Sequence, residues 1–194
     1  MISGVAMKRV AGDLVIRKLE ASDAEAFAGL RRAVTEHNAI PMGLTLAEEL
    51  GRPLQGFRDQ LSYPAPNAAF GAFRKKKLIG SAAVAWPNKF QSSRHKTHLW
   101  GVFVSPAERR KGVGRSIVSA AIGHAFANGA SRVNLQVFVP NPEAIALYQS
   151  LGFVEYGREP EAVCLDGVYF DGLHMSLTSE HRAQVSLREA KKKP

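Results

Sequence analysis

One cysteine, Cys164, is all the thiol chemistry this chain carries, so no internal disulfide can form and a reducing cytoplasm is the expected setting. Sitting alone in a β-type run, it reads as buried packing rather than as a nucleophile. No stretch approaches the roughly 20 apolar residues of a membrane-spanning helix, which argues against a membrane partner. Lys8 and Arg9 have no apolar run behind them, so the start does not read as a secretory leader. His37, His95, His124, His174 and His181 show no metal-ligand spacing, and no Cys-x-x-Cys or Ser-His-Asp set occurs; zinc, redox and triad-hydrolase chemistry lose their support, and no metal is expected. Acidic residues are also short, 17 against 26 lysines and arginines, leaving a net charge of +9.

What is present is an ordinary globular composition, 45% apolar over 194 residues, enough for one domain with a proper core. A domain over 13–178 is expected between a flexible N-terminus (1–12) and a basic, polar C-terminal tail (179–194). Residues 14–16 read as a first strand. Ser22 with Glu25 reads as a capping box opening a helix to about Val34, and Thr45 with Glu48 repeats the signature. A helix over 54–61 and strands over 68–74, 77–86, 97–104 and 133–139 follow. Asp166-Gly167 marks a hairpin between 162–165 and 168–177. Strands and helices alternate, giving a single-domain α/β chain: a mixed sheet in one layer with helices on both faces.

The most informative segment begins where the strand Val102, Phe103, Val104 stops at Pro106. A basic loop follows, with Arg109, Arg110, Lys111, Gly112, Val113, Gly114 and Arg115, and then a helical stripe of Ile117, Val118, Ala121, Ile122, Ala125 and Phe126. The first amides of a helix lack internal partners and carry partial positive charge, so such a junction suits a phosphorylated ligand. The two glycines let a pyrophosphate approach the backbone. By themselves these residues serve a flexible turn equally well. The spacing is neither a P-loop nor the dinucleotide fingerprint. Charge gathered at one glycine loop favours a compact phosphate ligand over nucleic acid.

A second constellation, Asn141-x-x-Ala144-x-x-x-Tyr148-x-x-x-Gly152-Phe153, follows. Asn141 makes a good N-cap with Pro142 at the first helical position. With both motifs in this order, the chain resembles the GNAT superfamily of acyl-CoA-dependent N-acyltransferases over roughly 14–177, most strongly over 99–114 and 141–153. Arg109, Gly112 and Gly114 meet that family's Arg/Gln-x-x-Gly-x-Gly/Ala signature.

The resemblance implies a largely antiparallel twisted sheet of about seven strands and acetyl-CoA as acyl donor. It further implies that two central strands splay to admit the pantetheine arm, which pairs with backbone around Val102 and Val104, while an amide near Phe103 faces the reacting carbonyl. The pyrophosphate would rest on the amides from Arg110 to Arg115, and Asn141 would touch the cofactor while still capping its helix. Tyr148 is the candidate general acid for the departing thiolate. Many relatives carry a glutamate near positions 98–100; here the chain reads His98-Leu99-Trp100. His98 is the candidate base, directly or through water, or else a strand histidine with no catalytic part. Strand alternation puts His98 and Trp100 on the face of Val102 and Val104.

The resemblance places the acceptor between 35–51 and 161–174. Glu48, Glu49, Asp166 and Asp171 there are candidates to attract an amine, or caps, turns and solvated charges. The reading is N-acetyl transfer to a primary amine of a small molecule or peptide. Behind it stand a protein-directed enzyme, ribosomal or other, and a non-catalytic acyl-CoA sensor. Similar proteins are often homodimers.

Overall fold

A computed structural model describes residues 8–10, 13–87 and 90–183. In chain order the regular elements are β1 (Lys8–Val10), β2 (Leu14–Lys18), α1 (Ala24–His37), α2 (Leu46–Gly51), α3 (Leu54–Leu61), β3 (Ala68–Arg74) and β4 (Lys77–Ala85). Then come β5 (Lys96–Val104), α4 (Val113–Ala127), β6 (Arg132–Phe138), α5 (Pro142–Ser150), β7 (Val154–Leu165) and β8 (Val168–Thr178). One eight-stranded sheet runs β1-β2-β3-β4-β5-β6-β8-β7. Every neighbouring pair is antiparallel except β5 and β6. A parallel pair needs a crossover, and α4 supplies it. Among the described residues no helix is long and apolar enough to cross a membrane.

Two apolar clusters lie on opposite faces of the sheet. On one, Ile117, Val118, Ala121, Ile122 and Ala125 of α4 pack on Ile79, Ala82, Val84, Leu99, Val133, Leu135 and Val137. Of the α4 stripe read from helical spacing, five residues are fully buried and Phe126 is partly buried against the same cluster. On the other face, Phe27, Leu30 and Val34 of α1 and Phe57 of α3 cover Ala69, Phe73, Ala83 and Phe103.

Several local expectations need correction. Lys8–Val10, expected within a loose N-terminus, pairs antiparallel with β2 and adds a strand to the expected count. The Ser22–Glu25 box does not open α1. Instead a short 3₁₀ turn, Ala21–Asp23, precedes the helix; Asp23 Oδ2 accepts from the Glu20 amide at 3.0 Å and its carboxylate pairs with Arg17. The Thr45–Glu48 box does form, with reciprocal bonds of 3.2 and 2.7 Å. Cys164 is exposed, on the edge strand β7, and so is not the buried packing residue expected. The C-terminal segment expected to be a loose tail begins docked: the Ser179 amide donates to Ser131 O, and the Arg182 guanidinium lies over Phe126. Residues 184–194 of that segment lie outside the described residues.

The most consequential departure lies inside β5. Its register with β4 shifts between Ser81 and Ala83, so two residues of β5, Gly101 and Val102, oppose one of β4. Gly101 has φ +62°, a left-handed value that glycine takes without strain, and the buried Ser81 hydroxyl donates to its carbonyl at 2.8 Å. An extra residue reverses the alternation. Leu99 therefore shares the α4 face with Val102 and Val104, whereas Trp100 and Phe103 share the α1 face. By strand alternation His98 goes with Trp100, so the expectation that His98 and Trp100 lie on the face of Val102 and Val104 fails.

A Cβ added at Gly101 meets no close neighbour, only Phe103 Cε2 at 3.8 Å, so strain alone should set the cost of substitution. Gly101→Ala is expected to lose about 1–2 kcal/mol of unfolding free energy, measured by urea denaturation.

Candidate functional site

The two central strands separate soon after they meet. β5 and β6 pair only at Lys96↔Arg132, Thr97↔Val133 and His98↔Asn134. Beyond that β6 stays with β8 as far as Phe138↔Gly172, while β5 follows β4 through the bulge. A wedge opens between them into a cavity of about 620 Å³. Val102, Phe103 and Val104 form one wall, Asn141, Leu147 and Tyr148 another, and Val34, Asn38 and Pro41 close the α1 side.

The glycine loop forms the mouth. Arg110 has φ +62° and Gly112 φ +77°, left-handed values of the kind found where successive backbone N–H groups form an anion-binding nest. Gly112 caps α4 without any side-chain acceptor, and among the described residues nothing accepts from the amides of Gly112, Val113 and Gly114. A Cβ on Gly112 would meet open space, whereas one on Gly114 would press on Leu147 Cδ2 at 3.2 Å. The first glycine serves the backbone conformation; the second lets α4 approach α5.

The basic side chains do not act alike. Arg109 Nε donates to Val104 O at 3.3 Å, tying the loop to the end of β5. Arg115 Nη2 donates to Ser150 O at 3.2 Å, bridging the two helices at the mouth. Arg109, Arg110 and Arg115 line the cavity. Lys111 does not; it lies 3.6 Å from Glu108, which also holds Arg74. The side chain of Val113 is buried in the α4 core, so only its amide is available to a ligand.

Tyr148 reaches the cavity from α5, with its ring edge-on to Phe153 at 5.7 Å. It is 6% exposed, and burial alone pushes its phenol well above the ordinary range, keeping it protonated. Asn141 caps α5, accepting from the Ala144 amide at 3.3 Å, and lines the same cavity. His98 stands apart, on the α1 face at the last paired residue before the wedge, and does not line the cavity. Burial first, and then the nearby His174, hold its pKa down, so it is neutral at neutral pH. His174 in turn lies 3.3 Å from Glu159, which accepts from Gln136 at 2.8 Å.

None of the four acids singled out for an amine points into the cavity. Glu48 is the capping partner of Thr45, and Asp166 sits in the hairpin turn at φ +50°. Asp171 is held by Arg158 and the Glu161 amide. Glu49 is fully buried against Arg31, whose Nε and Nη2 donate to its two carboxylate oxygens at 2.8 Å each. Asn38 and Pro41 fall within the 35–51 segment expected to wall the acceptor pocket, whereas Val34 at the cleft and the buried Arg31 were not read from the sequence. One signal existed: Arg31 falls among Phe27, Leu30 and Val34 on a buried stripe, where a charge requires a partner. Among the described residues no group of three or more histidine, cysteine or acidic side chains is placed to hold a metal.

Comparison with known proteins points the same way. The model of the Acetyltransferase (GNAT) family matches residues 32–153. The spermidine N(1)-acetyltransferase of Vibrio cholerae is 31% identical over 98 residues, 50% of this chain and 54% of that protein. The N-alpha-acetyltransferase MAK3 of Arabidopsis thaliana is 30% identical over 125 residues, 63% of this chain and 64% of that protein. The chain thus spans about half the length of the first relative and under two thirds of the second. The crystal structure of a phosphinothricin acetyltransferase from Sinorhizobium meliloti in complex with AcCoA superposes with a TM-score of 0.71. It covers 86% of this chain and 89% of that one at 20% identity, a likeness of fold.

Because burial is what perturbs the Tyr148 phenol, removing its hydroxyl should not destabilise the fold. Tyr148→Phe is expected to unfold at the same or a higher temperature, followed by circular dichroism.

Proposed function

We propose, starting from the fact that this chain belongs to the acetyltransferase (GNAT) family, that it transfers an acetyl group from acetyl-CoA directly to a primary amine of a small molecule or peptide. The observation that carries this reading is the wedge itself: the open edge of β5, the first amides of α4, which have no acceptor among the described residues, and the Tyr148 phenol meet in one cavity. The residues fit the donor. The Gly112–Gly114 amides, with Arg110 and Arg115, would hold its diphosphate. Val102 and Val104 would pair with its extended arm as a neighbouring strand does. Asn141 would flank that arm, and Arg109 would keep the loop on β5. Lys111, turned towards Glu108, would add charge at a distance, and Val113 an amide.

Acetyl-CoA supplies a thioester carbonyl that a neutral amine can attack. The Phe103 amide would donate to the oxygen of that carbonyl as charge gathers there. Tyr148, held protonated by burial, would give its proton to the departing sulfur. His98, held neutral and set on the acceptor side of the sheet, would take the amine proton through water. The names of the two relatives, a spermidine N(1)-acetyltransferase and an N-alpha-acetyltransferase, support an amine acceptor. The likeness to an N-alpha-acetyltransferase also favours a second reading, a protein N-terminus as acceptor.

The decisive measurement is CoA release from acetyl-CoA across a panel of polyamines, amino acids and peptide N-termini. No release with any of them, despite tight acetyl-CoA binding, would leave a sensor rather than an enzyme. Where turnover is limited by chemistry, Tyr148→Phe is expected to lower kcat by about 10²–10⁴-fold. A base works only when unprotonated, and the His98 pKa is depressed from its ordinary 6.5. The acid limb of kcat/KM should therefore fall below pH 6.5, as falling pH protonates the ring, and His98→Ala should abolish that limb. An unchanged profile would remove His98 from the mechanism.

A further inference from the structure

We propose that Arg31 and Glu49 form a positioning pair for the acceptor side of the cleft, an inference that rests on the acetyl-transfer reading for its kinetic arm alone. Arg31 is 4% exposed and Glu49 0%, so both charges have left water. Desolvating two charges is costly, and an apolar pair of similar volume would bind α1 to α2 as well or better. Adhesion therefore does not explain the pair. A bidentate fork does something that an apolar contact cannot: it fixes the rotation and register of one element against another.

What it fixes borders the cavity on two sides. Glu49 rides on α2, and the connection from α1 to α2 carries Asn38 and Pro41, which line the cleft. That connection is pinned at its far end by Gly43, where an added Cβ would overlap the Phe138 ring at the end of β6. On its other side the Arg31 guanidinium lies 5.3 Å from the Phe103 ring, which belongs to the cleft wall. Phe27 and Phe57 flank it at 5.6 and 5.8 Å. The pair thus joins the α1–α2 side of the cleft to Phe103, the residue whose amide would face the reacting carbonyl. Arg52 Nη1 approaches the same carboxylate at 3.6 Å, so one acid holds two guanidinium groups. Burial and the charge of Arg31 pull the Arg52 pKa down, the mark of a crowded cationic site that depends on Glu49.

The test is the double variant Arg31→Met/Glu49→Leu, which replaces the fork with apolar volume. It is expected to melt at or above the wild-type temperature and to bind acetyl-CoA with unchanged affinity by calorimetry. Acceptor kcat/KM should nonetheless fall about 10- to 100-fold, with KM for the amine rising, as slight misplacement of reacting groups demands. Hydrogen exchange should quicken over residues 38–43 and at Phe103. Arg31→Lys keeps the charge but gives up the fork; it should show the same split in smaller measure, and it stands in if the double variant does not fold. Wild-type acceptor kinetics together with wild-type exchange over 38–43 would overturn the proposal. Failure of the acetyl-transfer reading would appear separately, as wild-type protein that binds no acetyl-CoA, and the exchange measurement would still decide the pair.

Discussion

Three residues of parallel pairing, Lys96–His98 against Arg132–Asn134, hold the two halves of the sheet together, and the cleft exists because that pairing stops there. Each strand leaves for a better partner. β6 continues in antiparallel register with β8 for its whole length, and β5 continues with β4. Backbone hydrogen bonding is thus satisfied on the outer edges, while the inner edge of β5 faces a cavity instead of a strand. The bulge at Gly101 sharpens the divergence by twisting β5, and Ser81 fixes where it occurs.

The rest of the site is arranged around that opening. At the start of α4, Arg110 and Gly112 are left-handed and Gly112 offers the helix no side-chain cap. α5 can bring Tyr148 to the cavity because Gly114 lets the two helices approach. On the opposite face, an ion pair joins α1 to α2, and the connection between those helices carries Asn38 and Pro41 of the cavity lining. Charge is therefore used in two ways. At the mouth Arg109, Arg110 and Arg115 line the cavity; between α1 and α2 the charges of Arg31 and Glu49 are buried against each other.

Much of this was legible in residue patterns. The α4 stripe, the Thr45–Glu48 box, the Asn141-Pro142 helix start and the Asp166-Gly167 turn are local, set by periodicity, capping and φ preference. The misreadings share a cause. Ser22–Glu25 had the right letters, but Asp23, drawn into a pair with Arg17, took the helix start. Cys164 looked like packing because a β-type run does not say whether anything covers its face. Glu49 looked like a solvated acid because its partner lies 18 residues away.

The amino-acid sequence by itself determined the order of elements, the glycine loop at the start of a helix and the two motifs that mark the family, because each depends on neighbours within a helix turn or a strand. Only the tertiary structure decided which face His98 and Trp100 occupy, since one inserted residue at Gly101 inverts a period-two pattern. It alone also decided where the sheet opens and which charges meet, because strand partnership and ion pairing are contests among distant segments that no local pattern records.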